Sequence, residues 1–468
     1  MSRKRLAGIA AAAAVALGTA LLPQAVAAPA PRHQQEVAPA QYVYRLHSAH
    51  PQQDAQNLLG KGYDLLERRQ GDDLFVLGDA ATGSALRTLG LAPAVVRTIT
   101  HPTAPQRSRT AADDGTFYGG YHTVDGQYAH LDQVAAAHPD LATVVTYGQS
   151  WLKQQGQGGH DLKAICITKL RSGDCRLNPS SAKPRFFLMS QIHARELTTG
   201  EMSYRWIDAL TSGYGTDPAI TQLMDTTEMW VVPDANPDGV DIVAQGGDNP
   251  ILQRKNADDS ADPSCGTGDG SEQIGVDLNR NAGTHWGASG TSTQPCSEVY
   301  GGPAADSEVE NTALEGLFRE LYPAVRTGTS TSAPAPVTAN GMMITLHSDA
   351  SMVLFPWEYS ARVHTGNDTA LRALAAKMAS ITGYQYGQAG QILYNAAGGT
   401  DDWTYDKLGL ASFTIEIGDV DNRGCDGFTP PFSCQDSYFW PKIEPALLYA
   451  AQHAAAPYRT TSATAAKR

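Results

Sequence analysis

Beyond its first 22 residues, this 468-residue chain has no unbroken apolar run of the roughly 18 residues a membrane-spanning helix needs. It has no heptad pattern and no internal repeat, which excludes coiled coils and solenoids. Cationic residues are in short supply: 35 Lys and Arg face 48 Asp and Glu, a net charge of −13. That balance argues against nucleic-acid and anionic-membrane partners. None of the six cysteines forms a C-x-x-C pair, and none of the 13 histidines belongs to a His-Glu-x-x-His motif. A cysteine metal site and one familiar zinc-protease signature are therefore both missing.

What is present begins with a leader. Arg3, Lys4 and Arg5 precede an Ala-rich apolar stretch from Leu6 to Leu22, and Ala25-Val26-Ala27 offers a small-residue cleavage site. Residues 1–27 read as a signal peptide and the protein as secreted. In an oxidising compartment, Cys166, Cys175, Cys265, Cys296, Cys425 and Cys434 read as three disulfides, and sequential pairing (166–175, 265–296, 425–434) closes short loops. Residues 1–109 carry 12 Lys and Arg against 7 Asp and Glu, so the remainder carries −18. Solubility outside the cell accounts for most of that charge.

Hydrophobic content of 42% and charged content of 18% are ordinary for a globular protein, and the length allows a large domain plus a smaller one. From Tyr42 to Val96, strand-like and helix-like runs alternate, which predicts a small α+β unit. A polar linker with basic residues follows, His101 to Asp114, of the kind proteases cut. Residues 28–115 thus read as a pro-segment, 116–457 as the main domain and 458–468 as a disordered tail; a permanent accessory domain is the alternative for the small unit. In the main domain, strand-like runs at 162–168, 185–189, 229–232, 342–346 and 413–417 alternate with helical stretches. The expected fold is three-layer α/β/α with a central mixed sheet. Such sheets take ligands beyond the carboxyl ends of their strands, and His193, His347 and Glu416 each lie at or just past one.

Two imidazoles and a carboxylate are the donors Zn²⁺ takes in catalytic sites, with a fourth position left for water. His193 and Glu196 are three apart, so both can face one ion, and His347 arrives from a later strand. Asp277 is a candidate to orient a ligating imidazole from behind. Arg195, Arg254 and Arg280 bracket these motifs, and a guanidinium suits a carboxylate on the substrate.

Taken together, His193-Ala194-Arg195-Glu196, Asn236-Pro237-Asp238-Gly239, Arg254-Lys255, Asp277-Leu278-Asn279-Arg280-Asn281, Pro295-Cys296-Ser297-Glu298, Leu346-His347-Ser348, Tyr394-Asn395-Ala396-Ala397-Gly398 and Phe413-Thr414-Ile415-Glu416 resemble the zinc metallocarboxypeptidases of the carboxypeptidase A/B type. The resemblance runs from Phe117 to Pro457 in family order. It implies one Zn²⁺ held by His193, Glu196 and His347, with Glu416 as general base and Arg254 at the oxyanion. It also implies that Asn279 and Arg280 grip the terminal carboxylate, that Arg195 meets the incoming chain and that Tyr394 closes over the substrate. Where the family often has an aromatic residue after His-Ser, this chain has Asp349.

The same alignment puts Asp401 at the floor of the pocket for the last side chain. A carboxylate there implies C-terminal Lys or Arg, alone or alongside hydrophobic residues, with Glu358 a second negative charge at the pocket edge. The alternative is that Asp401 caps the helix that follows. The expected partners are peptide or protein C-termini and an activating protease, with no nucleic acid and no membrane, and the expected state is a monomer. An amidohydrolase or a cell-wall peptidase on the same fold is the rival reading.

Overall fold

Four strands of the main domain are buried along their whole length, polar residues included: Arg185–Met189, Glu228–Val232, Met342–Ser348 and Ala411–Ile417. Continuous burial of that kind requires cover on both faces. The computed structural model describes residues 40–99, 115–266 and 273–459. The expected leader, the linker from His101 to Asp114 and the tail from residue 460 lie outside the described residues.

The first unit runs β1 (Gln41–His47), α1 (Pro51–Leu59), β2 (Asp64–Gln70), β3 (Asp73–Gly78), α2 (Ala80–Thr88) and β4 (Ala94–Ile99). Its strands make an antiparallel sheet in the order β2-β3-β1-β4. Alternation finds β1 and β3 but neither β2 nor β4. Strand β2 reads Asp-Leu-Leu-Glu-Arg-Arg-Gln and buries its two carboxylates, while β4 is an edge strand with Val95 and Val96 exposed.

The larger unit opens with a short ribbon, β5 (Thr116–Phe117) and β6 (Tyr121–His122). There follow α3 (Val124–Ala137), β7 (Ala142–Gln149), α4 (Trp151–Gln154), β8 (Asp161–Ile167), β9 (Arg185–Met189), α5 (Leu197–Gly213), α6 (Pro218–Thr226), β10 (Glu228–Val232) and α7 (Pro237–Gln245). Beyond a long loop come α8 (Val309–Leu321), β11 (Met342–Ser348), β12 (Met352–Phe355), α9 (Asp368–Thr382) and β13 (Gln385–Gln388). The chain ends with α10 (Ala389–Ile392), α11 (Thr400–Leu408), β14 (Ala411–Ile417) and α12 (Trp440–His453).

Eight strands form one mixed sheet in the order β13-β12-β14-β11-β9-β10-β8-β7. The run β14-β11-β9-β10 is parallel; β8 and β7 add antiparallel at one end, and β12 joins β14 antiparallel at the other. Alternate residues serve opposite faces. Phe186, Leu188, Ile344 and Leu346 pack with α3, α5, α9 and α12, whereas Phe187, Met189 and Met343 pack with α8 and α11. His347 shares parity with Met343, and it pairs in register with Glu416. Both therefore stand on the α8/α11 face at the carboxyl ends of neighbouring strands.

Local chemistry explains two of the motifs. Asn236 caps α7, its Oδ1 accepting from Gly239 N at 3.1 Å, with Pro237 in the first turn. The same side chain donates to Ile192 O at 3.2 Å, tying the helix start to the segment before His193. Disulfides join Cys166 to Cys175, Cys265 to Cys296 and Cys425 to Cys434. One boundary needs correction. Tyr458, assigned to the tail, is buried with its hydroxyl donating to Gly409 O at 3.1 Å, because a large aromatic there completes the apolar core against α12.

Candidate metal centre and substrate cleft

The turn from β9 into α5 carries His193 and ends on Glu196, the residue just before the helix. His193 Nδ1 lies 2.7 Å from Glu196 Oε1. His347 Nδ1 lies 3.1 Å from His193 Nδ1 and 3.3 Å from Glu196 Oε2, which also accepts from Ser348 N at 3.2 Å. The three ligand atoms lie within 4.8 Å of one another, and all three residues are buried. Two imidazole nitrogens facing each other beside a carboxylate call for a shared cation, and this donor set fits Zn²⁺. Behind the centre, Asp277 Oδ1 lies 3.3 Å from His193 Nε2, the arrangement that fixes the tautomer of a ligating imidazole.

Glu416, paired with His347, is buried and its Oε2 has no hydrogen-bond partner. Burial pushes its carboxyl well above the usual range; Glu196, Glu67 and Asp349 push the same way, and Arg254 pulls against them. Burial would also raise Glu196, but the His193 and His347 imidazoles outweigh it and hold that carboxyl low.

The expected arginines converge on this centre, and each is already paired. Arg254 donates from Nε to Asp277 Oδ2 at 3.0 Å, and from Nη1 and Nη2 to the two oxygens of Glu67 at 2.9 and 2.6 Å. Arg280 reaches Glu67 Oε1 at 3.4 Å and is steadied by Gly290 O and Asn279 O, both at 2.9 Å. Arg195 holds Asp64 bidentately at 2.7 and 3.0 Å, lies 3.3 Å from Glu298, and stacks over the Phe428 ring at 4.2 Å. Glu67 and Asp64, both on β2, are the residues that motif reading missed. No local pattern marks them, because their partners are 131 to 213 residues away. Against the cost of burial, Arg254, His193 and Arg280 hold Glu67 far below the usual carboxylate range.

Tyr394 belongs to an apolar cluster with Tyr44, Leu46 and Leu59 of the small unit, and its hydroxyl is buried without a partner. Asn279 Oδ1 accepts from Thr400 N at 3.1 Å, which turns its amide Nδ2 the other way. Asp401 is buried in the first turn of α11, and Gly399 rather than Asp401 occupies the N-cap position. Its Oδ1 accepts from Asp402 N at 2.7 Å and its Oδ2 from Thr414 Oγ1 at 3.3 Å. A Cβ on Gly399 would meet Glu358 Oε2 at 2.5 Å, Asp401 Oδ1 at 3.2 Å and Asn279 Oδ1 at 3.6 Å. Three oxygens thus close on one spot that only glycine leaves open. Burial raises Glu358 to about 8, with Arg280 pulling it down and Asp401 pushing it up.

Residues 127–441 match the protein family described as zinc carboxypeptidase, Peptidase_M14. Over 320 residues the chain is 30% identical to carboxypeptidase A2 of Mus musculus, a stretch covering 67% of this chain and 66% of that protein. It is 29% identical over 332 residues to carboxypeptidase B of Bos taurus, covering 70% and 68%. Among solved structures, carboxypeptidase A from Helicoverpa armigera shares the fold: TM-score 0.68 and 22% identity, over 90% of this chain and 99% of that one.

Asp277 generates a test of the centre. Asp277→Asn keeps the size but weakens the contact behind His193, so affinity for Zn²⁺, read by competition with a chelator, should fall about 10- to 100-fold. Unchanged affinity would show that this carboxylate does not orient the ligand.

Proposed function

Because this chain belongs to the zinc carboxypeptidase family, we propose that it is a secreted, monomeric enzyme that removes C-terminal residues from peptides and proteins, with residues 28–115 keeping it latent. The observation that carries the proposal is the grip of Arg254 and Arg280 on the Glu67 carboxylate, beside His193. A cleft that closes two guanidinium groups on one carboxylate is suited to the free end of a chain, since an internal peptide bond has no charge there.

His193 Nδ1, His347 Nδ1 and Glu196 would hold Zn²⁺, which when bound lowers the pKa of its water toward about 7 and polarises the scissile carbonyl. Glu416, buried beside His347 with one carboxyl oxygen unpartnered, takes the proton from the attacking water and returns it to the leaving amine. Arg254 donates to the carbonyl oxygen as it gains charge. Arg280 and the free amide of Asn279 hold the terminal carboxylate, and Tyr394 covers it. Arg195, stacked on Phe428, meets the chain upstream. The Asp401 and Glu358 carboxylates at Gly399 favour a last residue that is Lys or Arg.

Latency follows from the same contacts. Glu67 on β2 fills the place a substrate carboxylate would take, Asp64 occupies Arg195, and α1 lies over the Tyr394 loop, with Gln52 and Gln56 donating to Gly390 O and Asn395 O at 2.9 Å. A protease acting in the 100–114 linker would release the block.

The decisive experiment trims the full-length protein in that linker and assays it on blocked dipeptides ending in Lys, Arg, Phe, Leu or Glu. Chelation should abolish hydrolysis and Zn²⁺ restore it, and Glu416→Gln should lower turnover at least about 100-fold with zinc retained. A turnover loss that merely tracks zinc loss would remove Glu416 from its role. Asp401→Ala should cut kcat/KM for Lys and Arg endings more than for Phe and Leu, shifting the ratio by about 1.5–3 kcal/mol if one charged hydrogen bond is lost. An equal loss on both classes would make Asp401 a support of α11. Before trimming, the full-length chain should be weakly active, and Glu67→Ala should raise that activity; equal activity before and after trimming would make residues 40–99 a permanent accessory domain.

A further inference from the structure

We propose that the trimmed cleft contains a second acidic subsite, formed by Asp349 and Asp426 around Gly427, that takes an arginine side chain upstream of the bond that is cut. The inference rests on the carboxypeptidase reading above and extends it to a part of the substrate that the terminal pocket does not touch.

The site shows its chemistry through what fills it. Asp426 Oδ2 lies 2.9 Å from Arg68 Nη1 and 3.2 Å from Arg97 Nη1. Asp349 is buried, and its Oδ2 accepts no hydrogen bond but lies 3.5 Å from the same Arg97 Nη1. The Arg97 guanidinium lies flat against Gly427: a Cβ there would fall 2.5 to 2.7 Å from its Nη1, Nη2 and Cζ, and the backbone φ of +93° disfavours any other residue. Two carboxylates and a bare glycine therefore already hold a guanidinium by charge and close approach, although Arg97 Nη1 makes no hydrogen bond to either carboxylate.

Position ties this subsite to catalysis. Asp349 opens the turn between β11 and β12, two residues past His347, and the turn leads to Met352, the register partner of Glu416. On the other side, Gly427 leads into Phe428, on which Arg195 stacks. The terminal carboxylate and last side chain are accounted for by Arg280, Asn279 and Asp401, which leaves this wall to the upstream chain. A cavity of about 420 Å³ adjoins it, walled on one side by Arg97, Thr98 and Ile99 of the small unit and on the other by Tyr118, Asp248, Asp426 and Phe428, so departure of the small unit would open this space to the substrate.

Both arginines in the subsite belong to the small unit, Arg68 on β2 and Arg97 on β4. Their departure would leave Asp349 and Asp426 without countercharge at the edge of the cleft, where unpaired carboxylates are costly and a substrate cation would replace what was lost.

The test uses full-length protein trimmed in the linker, with blocked peptides sharing one last residue and carrying Arg, Lys, Ala or Glu at each of the two positions before the scissile bond. At one of these positions Arg should exceed Ala in kcat/KM by about 10- to 100-fold, with Lys intermediate and Glu below Ala. The ratio should shrink as salt rises. The double variant Asp349→Asn, Asp426→Asn should bring the Arg-to-Ala ratio close to 1, and Asp426→Asn alone, at a more exposed site, should lower it part of the way. Equal rates for Arg and Ala at both positions in the parent protein overturn the subsite and leave the carboxypeptidase reading intact, as does a ratio that survives in the double variant. Failure to cleave any of the peptides with zinc bound overturns both.

Discussion

Asp277 faces His193 through one oxygen and Arg254 through the other, from a position with no solvent exposure. Burial would raise this carboxyl, yet Arg254, His193 and Arg280 hold it well below the usual range, so it stays charged. Much of the cleft depends on that charge. It gives the imidazole a fixed orientation, sets the guanidinium plane of Arg254, and shares with Glu67 the compensation of that buried cation. Asp277 Oδ1 also accepts from Asn279 N at 2.9 Å, so the residues expected to grip a terminal carboxylate start from the same anchor.

Around that anchor, charge is balanced across two units of the chain. Arg195, Arg254 and Arg280 lie beneath the surface, and the carboxylates that meet them come partly from β2. Neutralisation by a neighbouring strand and neutralisation by a substrate are electrostatically alike. The acidic wall at Asp349 and Asp426 follows the same logic with the signs reversed, the small unit supplying arginines instead of carboxylates. Opposite charges laid along one small sheet thus mirror the charges of the cleft beneath it.

The legible and illegible parts of the molecule divide along physical lines. His193, Glu196 and His347 could be picked out because two imidazoles and a carboxylate are the donors a zinc site would need, and Glu416 because it stands in a motif the family shares; the structure brings the first three within reach of one another and sets Glu416 beside His347. The central strands were legible because double-sided burial writes apolar runs such as residues 186–189. Strand β2 was not, since Glu67 and Arg68 break any alternation and are paid for by partners far along the chain. Short strands such as Met352–Phe355 and Gln385–Gln388 take their identity from sheet neighbours rather than from their own four residues. The Asp401 position was visible, but its surroundings were not: the opening at Gly399, where Glu358, Asp401 and Asn279 meet, exists only in three dimensions.

Helix α1 gives hydrogen bonds to the very loop that carries Tyr394, and Arg69 adds another to Leu393 O at 3.1 Å. While these hold, the carbonyls of Gly390, Leu393 and Asn395 are satisfied by the small unit. Separation of the small unit would hand those carbonyls to water and strip Tyr394 of the apolar neighbours that pin it. Activation on this view is also an entropic event: uncovering the cleft would free the one aromatic side chain expected to move, so that mobility is withheld from the protein until there is substrate for it to close upon.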